Sequence, residues 1–250
     1  PLPSLLLAIV SFMAFKEYIT LTPNRQQDRW AFLWAYVAIP LQYFWVVQAW
    51  YGMFIIFIPV YLFLLLPTRL VLSGHPKGFL NSTSTLHWGL MTTVFSLSHM
   101  AYLLVLPDYI EGDRIITGAS LLFLLVFLTQ MNDVAQFVWG KTLGQRKILP
   151  LVSPNKTWEG FLGGAVTTLL VSLLLTPLFT PLDLPRAALV GLEIGIFGFI
   201  GDVVMSAVKR DIGVKDTGTL LPGHGGILDR LDSLTFTAPL YFHTLYYFYY

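Results

Sequence analysis

Long apolar runs, separated by short polar segments, occupy most of this chain. A helix needs roughly 20 mostly apolar residues to cross the hydrocarbon core of a membrane. The pattern therefore predicts an all-α polytopic transmembrane helix bundle that forms one integral-membrane domain over residues 1–250. Eight segments meet or approach the required length, at about 3–20, 30–49, 50–68, 87–106, 115–132, 160–180, 187–207 and 233–250.

The composition narrows the class of protein further. Only 12% of the residues are charged and 55% are hydrophobic, with a mean hydropathy of +0.67. An ordinary soluble domain has roughly 25% charged residues, so soluble globular chains are excluded, as are disordered ones. The absence of cysteine also excludes disulfide frameworks, thiolate metal sites and cysteine nucleophiles.

The basic residues are distributed unevenly between the two sides of the predicted bundle. If the amino terminus lies outside, the loops after the first, third, fifth and seventh helices face the cytoplasm. Those loops and the adjoining helix ends hold all of the 15 lysines and arginines except Arg114 and Arg186. The positive-inside rule predicts such an asymmetry. The two longest polar segments, about 133–159 and 208–232, then share the cytoplasmic face.

The first polar segment carries features that suit an anion. Asp133 follows the fifth predicted helix, and Ser153 is expected to form a turn or helix cap ahead of the next. Lys156, the Thr157 hydroxyl and free backbone N–H groups at a helix start suit a phosphate. The alternative interpretation is an ordinary capped helix start with a solvated lysine.

The second polar segment concentrates charge at the ends of two helices. If the seventh helix continues, Asp202, Ser206 and either Lys209 or Arg210 share one of its faces. Asp229 and Asp232, three residues apart, share a face of the next helix. The alternative is a charged loop whose acids pair with its own bases.

The carboxylates of both segments indicate a hard cation. Mg²⁺ prefers one or two carboxylates, several waters and substrate phosphates, and lysine and arginine are the usual partners of phosphate oxygens. Glycines around His224 allow the backbone to approach a polyphosphate closely. These features indicate metal-assisted phosphoryl or nucleotidyl transfer at the membrane surface. The carboxylates of the two polar segments that could bind this cation are those of Asp133, Asp202, Asp216, Asp229 and Asp232.

Three stretches resemble the motifs of the phosphatidate cytidylyltransferase family, the CDP-diacylglycerol synthases. The longest runs from Ser206 to Asp232 and contains Lys-Asp-Thr-Gly and Pro-Gly-His-Gly-Gly-Ile-Leu-Asp-Arg. The others are Asn-Asp-Val-Ala at 132–135 and Ser-Pro-Asn-Lys-Thr-Trp-Glu-Gly at 153–160, with Gly163 and Gly164. The resemblance divides the domain into amino-terminal helices over 1–130, a catalytic region over 131–235 and a last helix over 236–250.

The resemblance implies a reaction and a setting. Family members transfer CMP from CTP to phosphatidate, giving CDP-diacylglycerol and pyrophosphate. They use Mg²⁺, and the resemblance also allows a second cation, which would be monovalent. It also implies a multi-pass protein of the bacterial inner membrane that contacts membrane lipids and forms a homodimer.

The resemblance also assigns roles to residues of this chain. Asp202 and Asp229 would hold the metal, with Asp133 and Asp216 as nearby ligands. The nucleotide would be bound by Lys156 and Thr157, with Ser206, Gly225 and Gly226 lining the same site. Beside Asp202 and Asp229, the catalytic residues would face the triphosphate or the lipid phosphate. They are Lys209, Arg210, Lys215, His224 and Arg230.

Two departures from the family pattern leave alternatives open. Met205 stands where the family usually has glutamate, and Gln136 stands where it usually has an aromatic residue. A cytidylyltransferase for a different lipid phosphate would keep the same polar face. A transporter would use Glu193, His99 and Gln130 to line a polar path, but the paired interrupted helices typical of transporters are not seen. Nucleic-acid binding has no support, because the basic residues alternate with acids.

Overall fold

The computed structural model describes residues 2–22, 28–218 and 225–250. Helices dominate these ranges, as predicted, and the strands form two short antiparallel hairpins. The hairpins pair β1 (Tyr109–Glu111) with β2 (Arg114–Ile116) and β3 (Lys147–Leu149) with β4 (Ser153–Thr157). The helices are α1 (Leu2–Leu21), α2 (Arg29–Val47), α3 (Tyr51–Ile56), α4 (Phe63–Val71), α5 (Phe79–Gly89), α6 (Ser96–Leu103), α7 (Gly118–Thr142), α8 (Trp158–Phe179), α9 (Leu184–Ile212), α10 (Leu228–Leu231) and α11 (Leu234–Tyr249).

Two π-helical turns join neighbouring helices into longer segments. Phe57–Leu62 connects α3 to α4, and Leu90–Phe95 connects α5 to α6. Pro59 lies in the first of these turns, where its missing N–H and its ring disfavour regular α-helical hydrogen bonding. Counting each joined pair once, the described residues form eight long helical segments and the short α10, which confirms the predicted number.

Six of these segments are long and apolar enough to cross a membrane: Leu2–Leu21, Arg29–Val47, Tyr51–Val71, Gly118–Thr142, Trp158–Phe179 and Leu184–Ile212. The predicted boundaries were least accurate where a helix continues into polar sequence. The fifth predicted helix ends at residue 132, whereas α7 continues to Thr142. Hydropathy marks the end of the apolar run, but backbone hydrogen bonding does not require apolar side chains.

The α8 helix shows that its environment is lipid rather than water. Its outward side chains are large and apolar, and Leu170, Leu174 and Leu178 are each more than 60% exposed. Its inward face is small or polar, with Thr168 and Ser172 fully buried. Small and hydroxyl residues let membrane helices approach closely and hydrogen-bond, whereas a helix in water would bury its leucines instead.

The structure consists of two compact units. The first comprises the described residues of Pro1–Val105 and Asp216–Leu228, and the second comprises Leu106–Lys215 and Asp229–Tyr250. In the first unit, the buried Gln42 amide donates to Phe54 O at 3.1 Å and to Ser98 Oγ at 3.2 Å. In the second unit, α7, α8, α9 and α11 pack on one another. The second unit holds most of the predicted site residues.

Candidate active site

Two glycines at the start of α8 bring that helix against α7. A Cβ atom at Gly160 would lie 2.8 Å from the carbonyl oxygen of Gln136, and a Cβ at Gly164 would overlap the Gln136 side chain. Real Cβ contacts are never this short, so only glycine permits the approach. Gly160 and Gly164, which belong to the motif that begins at Ser153, therefore place the first turns of α8 directly beside Gln136.

The start of α8 is capped by Thr157. Its Oγ1 accepts a hydrogen bond from Gly160 N at 3.1 Å, and Thr157 is 2% exposed. Ser153 instead begins β4, so the prediction that Ser153 forms the turn or cap was wrong. The error has a physical cause, because both serine and threonine can cap a helix, and residues 153–157 pair as a strand, so that the cap falls at Thr157. Glu159 fixes the preceding loop by accepting from Gln145 N at 3.0 Å.

Lys156 forms the first of two lysine–carboxylate pairs. Its Nζ lies 2.6 Å from Asp202 Oδ2 and donates to Gln136 Oε1 at 3.1 Å. Ser206 Oγ, one turn further along α9, donates to Asp202 Oδ1 at 3.4 Å. The pair brings together β4, α7 and α9, and it confirms that Asp202 and Ser206 share a helix face. It also shows that Lys156 is bound to a carboxylate rather than freely solvated.

Lys209 and Asp229 form the second pair. Lys209 Nζ donates to Asp229 Oδ1 at 2.7 Å, and the two side chains are only 13% and 12% exposed. Lys209 lies in the last turns of α9, and Asp229 lies in α10. Because both charges are largely withdrawn from water, each depends strongly on the other.

Asp232 connects the two pairs electrostatically. Burial, followed by the negative charge of nearby Asp202, raises the pKa of the Asp232 carboxyl well above its usual range. The charges of Asp133 and Lys209 also act on Asp232, the first raising and the second lowering its pKa. Several acids and two lysines are therefore close enough to influence each other within the second unit.

Ser233 holds two of these acids in place. Its hydroxyl donates to Asp133 Oδ1 at 3.0 Å, and its backbone N–H donates to Asp232 Oδ1 at 2.8 Å. Sequence reasoning missed Ser233, although its position directly after Asp232 was a signal. It also treated Gln136 only as a departure from the family pattern, whereas its side chain binds Lys156.

The other predicted residues lie in different surroundings. Arg210 and Arg230 are exposed, and Arg210 Nε reaches Val152 O at 3.4 Å. Lys215 and Asp216 are exposed as well, with Asp216 in the first unit. In that unit Gly226 is buried, while Gly225 has a φ of 80°, which favours glycine. The predicted role of His224 falls outside the described residues.

A cavity of about 340 Å³ lies beside Lys156 in the second unit. Its walls combine positive charge, hydrogen-bonding groups and two phenylalanines. This combination suits a ligand that carries a phosphate and an apolar or aromatic part. The lining includes Lys141, Lys147, Asn155, Thr157, Phe137 and Phe161.

The donor set beside the cavity is compatible with Mg²⁺ bound partly by substrate. Among the described residues, no group of three or more histidine, aspartate or glutamate side chains is arranged to hold a metal by itself. Mg²⁺, however, usually takes only one or two protein carboxylates and completes its shell with waters and phosphates. The carboxylate of Asp202, with the Ser206 hydroxyl beside it, supplies the hard oxygen donors that such a site requires.

Two of the three residues that a transport path would use, Glu193 and His99, have local hydrogen-bond partners. In the second unit, both carboxylate oxygens of Glu193 lie 2.9 Å from the Thr244 hydroxyl, which donates to them. In the first unit, His99 is fully buried, and its Nδ1 lies 2.8 Å from Phe95 O. Gln130 is exposed on α7. The contacts of Glu193 and His99 are those of helix packing.

Comparison with known proteins agrees with this geometry. The sequence profile of the cytidylyltransferase family matches residues 2–248. The chain is 52% identical over 241 residues to YnbB of Escherichia coli (strain K12), a protein described as uncharacterized, covering 96% of this chain and 78% of YnbB.

Staphylococcal phosphatidate cytidylyltransferases are also similar. The enzyme of Staphylococcus epidermidis (strain ATCC 35984) is 42% identical over 157 residues, which is 60% of this chain and 58% of that enzyme. The Staphylococcus haemolyticus enzyme is 46% identical over 120 residues, 47% of this chain and 45% of that enzyme. These matches cover about half the length of the named enzymes. Because the family profile extends over nearly the whole chain, the protein belongs to the cytidylyltransferase family of nucleotidyltransferases.

Proposed function

We propose that the protein transfers CMP from CTP to phosphatidate, giving CDP-diacylglycerol and pyrophosphate at the cytoplasmic face of a bacterial membrane. An oxygen of the lipid phosphate attacks the α-phosphorus of CTP. The bond from that phosphorus to the bridging oxygen of the β-phosphate breaks, and pyrophosphate leaves with the electron pair. The nucleophile is already an anionic oxygen, so the protein's task is mainly positioning and charge neutralisation.

The observation that supports this proposal most is the presence of two lysine–carboxylate pairs in the unit that contains the cavity. Lys156 neutralises Asp202, and Lys209 neutralises Asp229. Phosphate oxygens are strong acceptors for lysine. An arriving triphosphate would therefore compete for both ammonium groups and release the carboxylates. In each pair, the lysine can bind a phosphate of the substrate and the carboxylate can bind a cation.

Asp202 and Asp229 would hold Mg²⁺ once the lysines turn to phosphate, with Asp133 close by. When bound, the metal would neutralise the charge that develops on the leaving pyrophosphate. Thr157 retains its hydroxyl proton for donation, because its oxygen is the atom that caps α8. Lys141, Lys147 and Asn155 would bind the phosphate group of a substrate in the cavity.

Direct assay of nucleotidyl transfer tests the proposal. Purified protein in detergent–lipid micelles would be incubated with labelled CTP, Mg²⁺ and phosphatidate, and CDP-lipid would be separated by extraction. We expect a CDP-lipid product that requires both CTP and Mg²⁺ and disappears on chelation with EDTA. Restoring Mg²⁺ should restore it. Absence of any nucleotide-bearing lipid with phosphatidate in an otherwise folded protein would contradict the proposal.

A different lipid phosphate is the second candidate acceptor, favoured by Gln136. This residue is 4% exposed, binds Lys156 through Oε1, and has no hydrogen-bond partner for Nε2 among the described residues. A buried donor beside the cavity is costly unless it is satisfied. Presenting a panel of lipid phosphates, including archaeol-type ones, decides between the acceptors. Product from another phosphate but none from phosphatidate would favour this candidate.

A further inference from the structure

One carboxylate in the first unit collects three hydrogen bonds from two separate stretches of chain. Glu17 lies near the end of α1. It accepts a short hydrogen bond from the Thr217 hydroxyl, and it accepts from Ile227 N at 3.0 Å and Leu228 N at 3.1 Å. We call this set of contacts the Glu17 clamp. Between 200 and 211 residues separate Glu17 from the groups it binds.

The glycines beside the clamp are needed because Glu17 approaches so closely. A Cβ at Gly226 would overlap Glu17 Oε1, and a Cβ at Gly218 would lie 3.0 Å from Glu17 Oε2. Thr217 is 4% exposed, so its hydroxyl has little access to water as an alternative partner. The local sequence is therefore shaped around the carboxylate of α1.

We propose that Glu17 is a positioning residue for the backbone next to Asp216 and Asp229. Thr217 directly follows Asp216, and Leu228 directly precedes Asp229. The clamp thus fixes the backbone beside two predicted metal ligands without touching either carboxylate. Glu17 already accepts three hydrogen bonds from the protein, which sets it apart from a carboxylate that is free to bind a metal. The kinetic consequence of this inference rests on the proposed function, whereas the structural consequence does not.

A carboxylate suits this role better than any neutral side chain. Each of its oxygens accepts more than one hydrogen bond, and bonds to a charged acceptor are about twice as strong as neutral ones. Glutamine would present an NH₂ group toward one of the three donors, leaving a backbone N–H unsatisfied. We therefore expect Glu17→Gln to open the clamp almost as effectively as Glu17→Ala.

Hydrogen exchange measures the clamp independently of activity. In the purified full-length protein, exchange at the amides of Ile227 and Leu228 would be followed by mass spectrometry. Loss of a charged acceptor should speed their exchange about 10- to 100-fold in Glu17→Gln. Lys16→Gln, which changes the exposed neighbour on the same helix, should leave the exchange at the wild-type rate. Unchanged exchange in both Glu17→Gln and Glu17→Ala would overturn the clamp.

Enzyme kinetics then test the positioning role. We expect Glu17→Gln to lower kcat about tenfold or more while the KM for CTP stays within about threefold, because misplacing Asp229 impairs the reaction more than nucleotide binding. Thr217→Val should show a smaller effect in the same direction. The fold-loss of kcat in the double variant should be smaller than the product of the two single fold-losses, because both substitutions remove the same Glu17–Thr217 contact.

The outcomes separate the two proposals. Faster exchange with wild-type kcat would overturn the positioning role, as would independent effects of Glu17→Gln and Thr217→Val. If Glu17 variants fail to fold, Thr217→Val supplies the same two measurements, and wild-type exchange and kcat there would overturn the inference. A wild-type protein that transfers no nucleotide defeats the proposed function, while hydrogen exchange still decides the clamp.

Discussion

The two units of the molecule bury polar groups in different ways. In the interior of the first unit, many of the hydrogen bonds join neutral groups, as when Tyr43 donates to Leu7 O at 3.0 Å and lies 2.7 Å from Ser11 Oγ. In the second unit, the partly buried polar groups include two lysine–carboxylate pairs. Neutral hydrogen bonds are enough to join helices in lipid.

The difference distinguishes groups that hold helices together from groups prepared for chemistry. Withdrawing a charge from water is expensive even when the charge is paired, and hydrophobic replacements are often equally stable. A charged pair that adds little net stability is retained more readily if substrate uses both partners. The first unit has exceptions: the Glu17 clamp, and the buried Asp28, which accepts from the Ser82 hydroxyl at 2.5 Å. The contacts of the clamp lie next to Asp216 and Asp229 in the chain.

The largest expected effect comes from removing a charge in the second unit. Asp202→Asn keeps the size and much of the hydrogen bonding of the side chain but removes its negative charge. We expect nucleotidyl transfer to fall about 10²- to 10³-fold, the range found when one electrostatic group is removed from an active site. The measurement is the initial rate of CDP-lipid formation at saturating CTP.

A matched control lies on the same helix. Glu193→Gln removes a carboxylate of α9 that bonds only to the Thr244 hydroxyl among the contacts described. We expect its transfer rate to remain within about threefold of wild type, as for a helix-packing group. Equal losses of transfer rate in Asp202→Asn and Glu193→Gln would show that any negative charge on α9 affects activity. The lysine–carboxylate pairs of the second unit would then have no role distinct from that of its packing contacts.

The second effect separates stability from activity at the other pair. Lys209→Met removes the ammonium group that lies 2.7 Å from Asp229 Oδ1, where the Asp229 side chain is 12% exposed. Breaking a buried pair typically costs on the order of 3–5 kcal/mol, so a lower thermal midpoint is expected together with lost activity. Replacing both residues, in Lys209→Met with Asp229→Leu, should recover most of the stability and none of the activity. Recovered activity would exclude this pair from catalysis.

Much of the fold was accessible from the sequence because hydropathy responds directly to the membrane. The number of long helices follows from the apolar runs, and the site motifs follow from charge in a chain that has little of it. The continuation of α7 to Thr142 was not accessible, since polar residues past the interface are compatible with either helix or loop.

The partners of the charged residues were less predictable than their presence. Lys156 and Asp202 are 46 residues apart in the sequence, and only the close packing of α8 against both α7 and α9 shows which groups meet. Glu17 was missed altogether, because a single acid near the end of an apolar helix resembles an ordinary interfacial residue. Long-range pairing of this kind depends on packing that no local pattern encodes.

The smallest effect on activity is expected inside the first unit. Gln42→Met removes the hydrogen bonds to Phe54 O and Ser98 Oγ while keeping the side-chain volume. Side-chain hydrogen bonds between membrane helices average about 0.6 kcal/mol and reach about 1.7. Thermal unfolding in detergent should therefore show a loss of about 1 kcal/mol, with kcat and KM unchanged. Leu41→Met, on the exposed neighbour, should change neither quantity. If kcat fell for Gln42→Met while the protein remained fully folded, the neutral hydrogen bonds of the first unit would contribute to catalysis. The two units would then not differ in the way argued above.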